Sequence, residues 1–278
     1  MIITDQFVML NLPKTGSTYA RKCIKDIYSK RFKKLPLKHK ISIWTNSKPP
    51  LFQDYLVENI KVKTNVGNKG VIDQHGTYEQ IPNEHKQKKI FSIVRNPVSA
   101  YLSRYDWESW VRNPPCPMEI IKNAFSHYPD LTFTEYLHLV DMAVPYFVGH
   151  EVRNTDIGIL SIQFIQMFFK NPDEVIRNLS DEYINSEKVF DDFAGIHFLR
   201  QENLNTDLKE FLSQMNFTEQ ELSVIDGQKK VNVSKRKSPD RSQLLTPEII
   251  ERINKKEKII YRILERQGIV YEKFMEKL

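Results

Sequence analysis

Phe7-Val8-Met9-Leu10-Asn11-Leu12-Pro13-Lys14-Thr15-Gly16-Ser17-Thr18 is the stretch on which the fold turns. Its first four residues form a continuous apolar run, entered from Met1-Ile2-Ile3 and ended by Pro13, which reads as a strand buried on both faces. Ser17 to Phe32 holds neither Gly nor Pro and sets Tyr19, Cys23, Ile27 and Tyr28 at helical spacing. A tight loop therefore joins a strand to a helix, and its amides converge with the helix N-terminus where an anion would sit. Lys14 adds a point charge, Gly16 permits close backbone approach, and Ser17 and Thr18 add hydroxyls. The loop departs from the nucleotide-hydrolase pattern GxxxxGKS/T, which is longer and has Lys directly after its second Gly. Here Lys14 comes before Gly16.

Working outward, Gly70-Val71-Ile72-Asp73 reads as a second strand and Ile90-Phe91-Ser92-Ile93-Val94 as a third. Asn96-Pro97 starts a helix, since Asn caps and Pro suits the first helical position; it runs through Tyr101, Leu102 and Tyr105 toward Trp110. Pro114, Pro115 and Pro117 end it and open a helical middle whose clearest pieces are Phe133 to Val140 and Asp156 to Phe169. A fourth strand, Ile196 to Leu199, precedes a helix from Asn203 to Met215. One long terminal helix is predicted from Thr246-Pro247-Glu248 to about Gln267, stopped by Gly268. Strands alternating with helices imply an α/β fold: one domain over 1–278, a central parallel sheet flanked by helices, and a helix-rich second half. Asp226 to Arg241 is the loosest linker and a candidate mobile basic loop.

Composition is that of a soluble globular chain: 278 residues, 40% hydrophobic, 27% charged, net charge +6. The longest apolar stretch, Ile157 to Phe169, is interrupted by Ser161, Gln163 and Gln166 and is too short for a membrane span. No secretory leader is visible, and Cys23 and Cys116 have no metal or disulfide spacing, so a reducing cytoplasm is expected. Charge is uneven. Arg21 to Lys40 holds nine basic residues against Asp26 alone, and Lys229 to Arg241 holds a second cluster. Such runs favour anionic ligands, or form solvated faces.

The third strand exits into Arg95-Asn96-Pro97, and Ser103 follows two helical turns later, so both can face the crevice where α/β sheets bind ligands. A magnesium-using hydrolase wants an Asp at such a strand end. This strand ends in a cation instead, leaving Asp73 as the rival carboxylate.

In this conjunction the chain resembles the sulfotransferases that use 3′-phosphoadenosine 5′-phosphosulfate (PAPS), in their carbohydrate or bacterial-type branch. Strand-PKTGST-helix looks like their 5′-phosphosulfate loop, and Arg95-Asn96-Pro97 with Ser103 and Tyr105 looks like their 3′-phosphate motif. Gln201-Glu202-Asn203-Leu204 and Val231-Asn232-Val233-Ser234-Lys235-Arg236 extend the resemblance, the latter to a basic loop closing over the cofactor. The resemblance implies a nucleotide-kinase-like P-loop fold and sulfuryl transfer from PAPS to an acceptor hydroxyl or amine, with no metal. Lys14, Thr15, Gly16, Ser17 and Thr18 would hold the 5′-phosphosulfate and Arg95 and Ser103 the 3′-phosphate; Ser234, Lys235 and Arg236 would bind the cofactor from the closing loop, where Lys235 and Arg236 either cap the 3′-phosphate or belong to a mobile basic loop. His75, in Asp73-Gln74-His75-Gly76-Thr77-Tyr78, matches the family's catalytic base, and Glu79 is the rival. The acceptor expected is a small molecule, lipid, saccharide or carrier-bound group rather than nucleic acid, and the oligomeric state is not legible. Trp107, Trp110, Tyr101 and Tyr105, at helical spacing, read first as packing residues and second as a stacking platform. Competing readings are a nucleotide kinase needing Asp73 and magnesium, and a polyanion-binding protein using the two basic runs.

Overall fold

The computed structural model describes residues 1–45, 47, 49–58, 72–148, 156–228 and 241–271. Strands β1 (Ile2–Thr4), β2 (Phe7–Leu10), β3 (Phe52–Asp54), β6 (Lys89–Val94) and β7 (His197–Arg200) form one sheet in the order β3-β1-β2-β6-β7. β4 (Val57–Glu58) and β5 (Ile72–Asp73) form a separate antiparallel ribbon.

The central sheet is mixed rather than parallel throughout. β2, β6 and β7 run parallel, with Val8 opposite Ile90 and Ser92 opposite Phe198, whereas β1 is antiparallel to both β2 and β3. The reason is local: only Asp5 and Gln6 separate β1 from β2, and so short a connection joins antiparallel strands. Thr4 closes that turn, its Oγ1 accepting from the amides of Gln6 and Phe7 at 3.2 and 2.9 Å and donating to the Phe7 carbonyl at 2.9 Å. The second strand predicted from sequence also shifts. Gly70 and Val71 lie outside the described residues, and Ile72–Asp73 pairs with Val57–Glu58, not with the central sheet.

Alternation along the parallel strands sends side chains to two cores. Phe7, Met9, Phe91 and Ile93 face α1 (Ser17–Lys34), which buries Ala20, Cys23, Ile24 and Ile27 against them. Val8, Leu10, Ile90 and Val94 face the opposite way. There they meet α3 (Pro97–Asp106) and α6 (Phe133–Val148), which the short α4 (Ser109–Arg112) and α5 (Met118–Ala124) separate in sequence, whereas α2 (Leu37–Trp44) follows α1 and joins neither core. α7 (Ile159–Phe168) completes that layer, followed by short helices α8 (Pro172–Arg177), α9 (Asp181–Asn185) and α10 (Lys188–Asp192). On the first face α11 (Leu204–Ser213) sets Phe211 4.4 Å from the Phe91 ring centroid, and α12 (Glu219–Asp226) closes over α1. Each such aromatic contributes about 1.5–3 kcal/mol of burial. Cys23 and Cys116 are both buried and free.

The single terminal helix expected from sequence is two, after a short α13 (Arg241–Leu244): α14 (Pro247–Lys256) and α15 (Lys258–Arg266). Between them Glu257 is fully buried, accepting from Tyr101 Oη at 2.5 Å and from the amide and hydroxyl of Ser161 at 2.7 and 2.6 Å. Its carboxyl group thus sits on the first turn of α7, where it takes up an orphan amide, while burial raises its pKa. Glu257 itself has φ −104° and ψ 20°, which marks the break between α14 and α15.

Candidate anion-binding site

Three loops leave the carboxyl ends of the adjacent parallel strands β2, β6 and β7, and they meet. The first holds two residues in left-handed backbone, Lys14 at φ 67° and Gly16 at φ 87°, so the chain reverses into α1 within a few residues. A Cβ on Gly16 would stand 3.2 Å from Leu204 Cδ2 and 3.4 Å from Gln201 Cγ, both in the segment after β7. The loop after β6 touches that segment too, the Asn96 amide donating to Glu202 Oε1 at 3.1 Å. Asn96 caps α3 as its sequence indicates, accepting from the amides of Val98 and Ser99 at 2.9 and 3.3 Å.

Within the first loop, Thr15 and Ser17 are buried and donate their hydroxyls to the Leu12 carbonyl at 2.9 and 3.3 Å. Those hydroxyls brace the loop, and the amides of Ser17 and Thr18 in the first helical turn are the groups with no intrahelical carbonyl to bond. Thr18 is exposed.

Cations collect above this loop. Lys14 Nζ lies 3.9 Å from the centroid of the Trp107 ring, and Arg112 Cζ lies 4.6 Å from the same ring. Burial, then the positive charges of Arg104, Arg95 and Arg112, push the Lys14 ammonium down to about 8, with Asp106 opposing weakly. Arg104 donates from Nη2 to Gln163 Oε1 at 2.6 Å, while its Nε is buried without a hydrogen-bond partner. Arg95 is half-buried where β6 ends, and Ser103 is half-buried on α3. Asp106 offsets part of this positive charge, and the four cations outnumber it. The donor set therefore fits a polyanion.

His75 reaches the same strand end through Asn11, the residue after β2. His75 Nδ1 lies 2.6 Å from the Asn11 carbonyl oxygen, an acceptor, so Nδ1 carries the proton and the neutral ring leaves Nε2 bare. Burial lowers the imidazole from its ordinary value, keeping it neutral near pH 7. Its backbone amide donates to Asp73 Oδ1 at 2.7 Å, and the buried Asn11 side chain donates to the Gln74 carbonyl at 3.0 Å while its Oδ1 has no hydrogen-bond partner. Glu79 lies exposed in the following turn.

The fold therefore brings Lys14 and Arg95 into one positive crevice, with Ser103 on the adjoining helix. Ser234, Lys235 and Arg236 lie outside the described residues. Sequence reasoning missed Arg104 and Arg112; the signal for Arg104 was its place beside Ser103, on the helix that Arg95 introduces. Tyr101, Tyr105 and Trp110 are buried packing residues, with Tyr105 and Trp110 stacked at 5.4 Å. Trp107 is 42% exposed and belongs to the site.

No family model matches the chain, and neither curated proteins nor solved structures supply a match. Among the described residues no helix is long and apolar enough to cross a membrane.

Proposed function

We propose that the protein transfers a sulfuryl group from PAPS to an acceptor hydroxyl or amine, on a nucleotide-kinase-like P-loop fold. The observation that carries this reading is Lys14 held among Arg95, Arg104 and Arg112 where β2 and β6 end. A donor with phosphates at both ends of its ribose matches a crevice whose cations come from two different loops. Lys14 and the amides of Thr15, Gly16, Ser17 and Thr18 take the 5′ side, and Arg95 with Ser103 takes the 3′ side.

The donor supplies the sulfuryl group, whose S–O bond to the 5′-phosphate breaks as the acceptor oxygen or nitrogen bonds to sulfur. Preorganised cations and amides stabilise the charge returning to the phosphate, a contribution in which loss of one donor costs about 10²–10³ in rate. His75 Nε2 accepts the acceptor's proton, its tautomer set by Asn11. A kinase reading asks instead for a carboxylate at the end of a central hydrophobic strand. Asp73 stands on the β4–β5 ribbon and receives the His75 amide, so its placement favours the first reading.

Thermal unfolding with 3′-phosphoadenosine 5′-phosphate, adenosine monophosphate, or ATP with magnesium tests the proposal. Ligand at 100 times its dissociation constant adds about 2.7 kcal/mol, a rise of roughly 5–11 °C at ~2–4 °C per kcal/mol for a chain of this size. A rise with the bisphosphate that persists in EDTA and exceeds that with the monophosphate is expected. A rise only with magnesium and ATP would replace sulfuryl by phosphoryl transfer.

A further inference from the structure

The helix α2 buries none of its residues. Leu37 is 68% exposed, Ile41 47% and Trp44 70%, and at 3.6 residues per turn these three fall within about 60° of the helix circumference. Lys38 and Lys40 flank that stripe on either side. From Ile27 to Gln53 the chain holds seven Lys and Arg and no Asp or Glu, and Lys30, Lys33, Lys34 and Lys38 are exposed. Arg31 is the one that α12 neutralises, through Glu221 at 2.6 Å.

We propose that α2 docks on a lipid bilayer bearing anionic headgroups, seating Leu37, Ile41 and Trp44 at the boundary between headgroups and acyl chains. The exposed stripe ends in a Trp, the ring that settles at such boundaries, and the lysines beside it have no Asp or Glu within their own stretch of sequence, Ile27 to Gln53. Three apolar side chains give only marginal binding, so the basic charge is the second signal that makes it hold. A second copy of the chain fits poorly, because facing α2 helices would bring Lys38 and Lys40 of each copy against those of the other. The surface is remote from the anion site: α1 carries the phosphate loop at one end and leads to α2 at the other, about 27 Å away for its 18 residues. Docking is therefore independent of the reaction proposed above.

Co-sedimentation of the full chain with phosphatidylcholine vesicles, with and without about a third phosphatidylserine, tests it. Binding is expected only with phosphatidylserine and is lost in about 1 M salt. Trp44→Ser and Leu37→Ser should each lower partitioning about tenfold and Lys38→Gln about fivefold, with unfolding temperatures unchanged. Three results overturn the proposal: no binding to anionic vesicles, binding that ignores Trp44→Ser and Leu37→Ser, or a concentration-dependent dimer that Trp44→Ser dissolves. The response of Trp44→Ser to 3′-phosphoadenosine 5′-phosphate should equal that of the parent chain, which separates this surface from the anion site.

Discussion

The Lys14 ammonium rests 3.9 Å over the Trp107 ring, on the carboxyl side of β2, with the Arg112 guanidinium on the same ring. A lysine parked on an aromatic face among three arginines is held where an anion would arrive, and its proton is weakened there.

Proton uptake on anion binding follows. Lys14 loses its proton near pH 8 in the fold but near 10.5 when unfolded, so between these values the unfolded chain binds more protons and this group's contribution to stability rises with pH. A bound phosphate reverses the local charge and draws the proton back. Calorimetry with 3′-phosphoadenosine 5′-phosphate near pH 8, in two buffers of different protonation enthalpy, should show uptake of part of a proton, and affinity should fall as pH rises further. Lys14→Met should abolish the buffer dependence; dependence that survives it assigns the proton elsewhere.

His75→Asn keeps a donor facing the Asn11 carbonyl and removes the bare Nε2. Turnover should drop about 10²–10⁴-fold, with the affinity for 3′-phosphoadenosine 5′-phosphate nearly unchanged. In the parent chain the acid limb of the kcat profile should lie below the ordinary histidine value of 6.5, because burial lowers the imidazole. The same shift makes protonation of His75 destabilising, so stability falls as pH drops below 6.5. Unchanged turnover in His75→Asn moves the base to Glu79.

Parts of this architecture are legible in the sequence for a physical reason. β2 and most of β6 are apolar because both their faces are covered, and the cations stand out because Arg95 follows β6 at once and Lys14 lies four residues past Leu10, in the loop that leaves β2. The β1–β2 hairpin is hidden because Asp5-Gln6 lacks the Gly or Asn that marks tight turns, its closure coming from the Thr4 hydroxyl. Spacing alone cannot tell Trp107 from Trp110, since which one faces solvent depends on where α4 turns after Glu108 at φ 49°. Arg112 reaches Lys14 only through that same turn.

Gly16→Ala separates loop geometry from charge. Its φ of 87° disfavours any side chain, and the added Cβ would press on Leu204 Cδ2 at 3.2 Å. A cost of about 1–2 kcal/mol is expected, seen as a lower unfolding temperature. Binding of 3′-phosphoadenosine 5′-phosphate should weaken further than stability does, because the amides of residues 16–18 lose their common aim. Stability lost with affinity intact would show that the loop amides do not hold the anion.

The buried carboxylate of Glu257 offers a test of the fold away from the site. Burial raises its pKa above the ordinary value of 4.5, so the fold favours the protonated form and this group's contribution declines as pH rises from 4.5 toward the folded pKa. Gly158 leaves the space that the carboxylate fills: a Cβ there would come within 1.8 Å of Glu257 Oε1 and 3.0 Å of the Tyr101 hydroxyl. Gly158→Ala should therefore cost about 3 kcal/mol or more, because backbone on one side and the α14–α15 junction on the other leave the carboxylate little room to move. Glu257→Ala alone should also destabilise by about 3 kcal/mol, stripping Ser161 and Tyr101 of their acceptor. Combining the two removes the clash along with the carboxylate, so the double variant should be more stable than the sum of the single losses allows, with a coupling of about 1–3 kcal/mol in urea unfolding. Strict additivity would mean that Gly158 is needed for its backbone alone, and that the carboxylate does not set the approach of α7 to the α14–α15 junction.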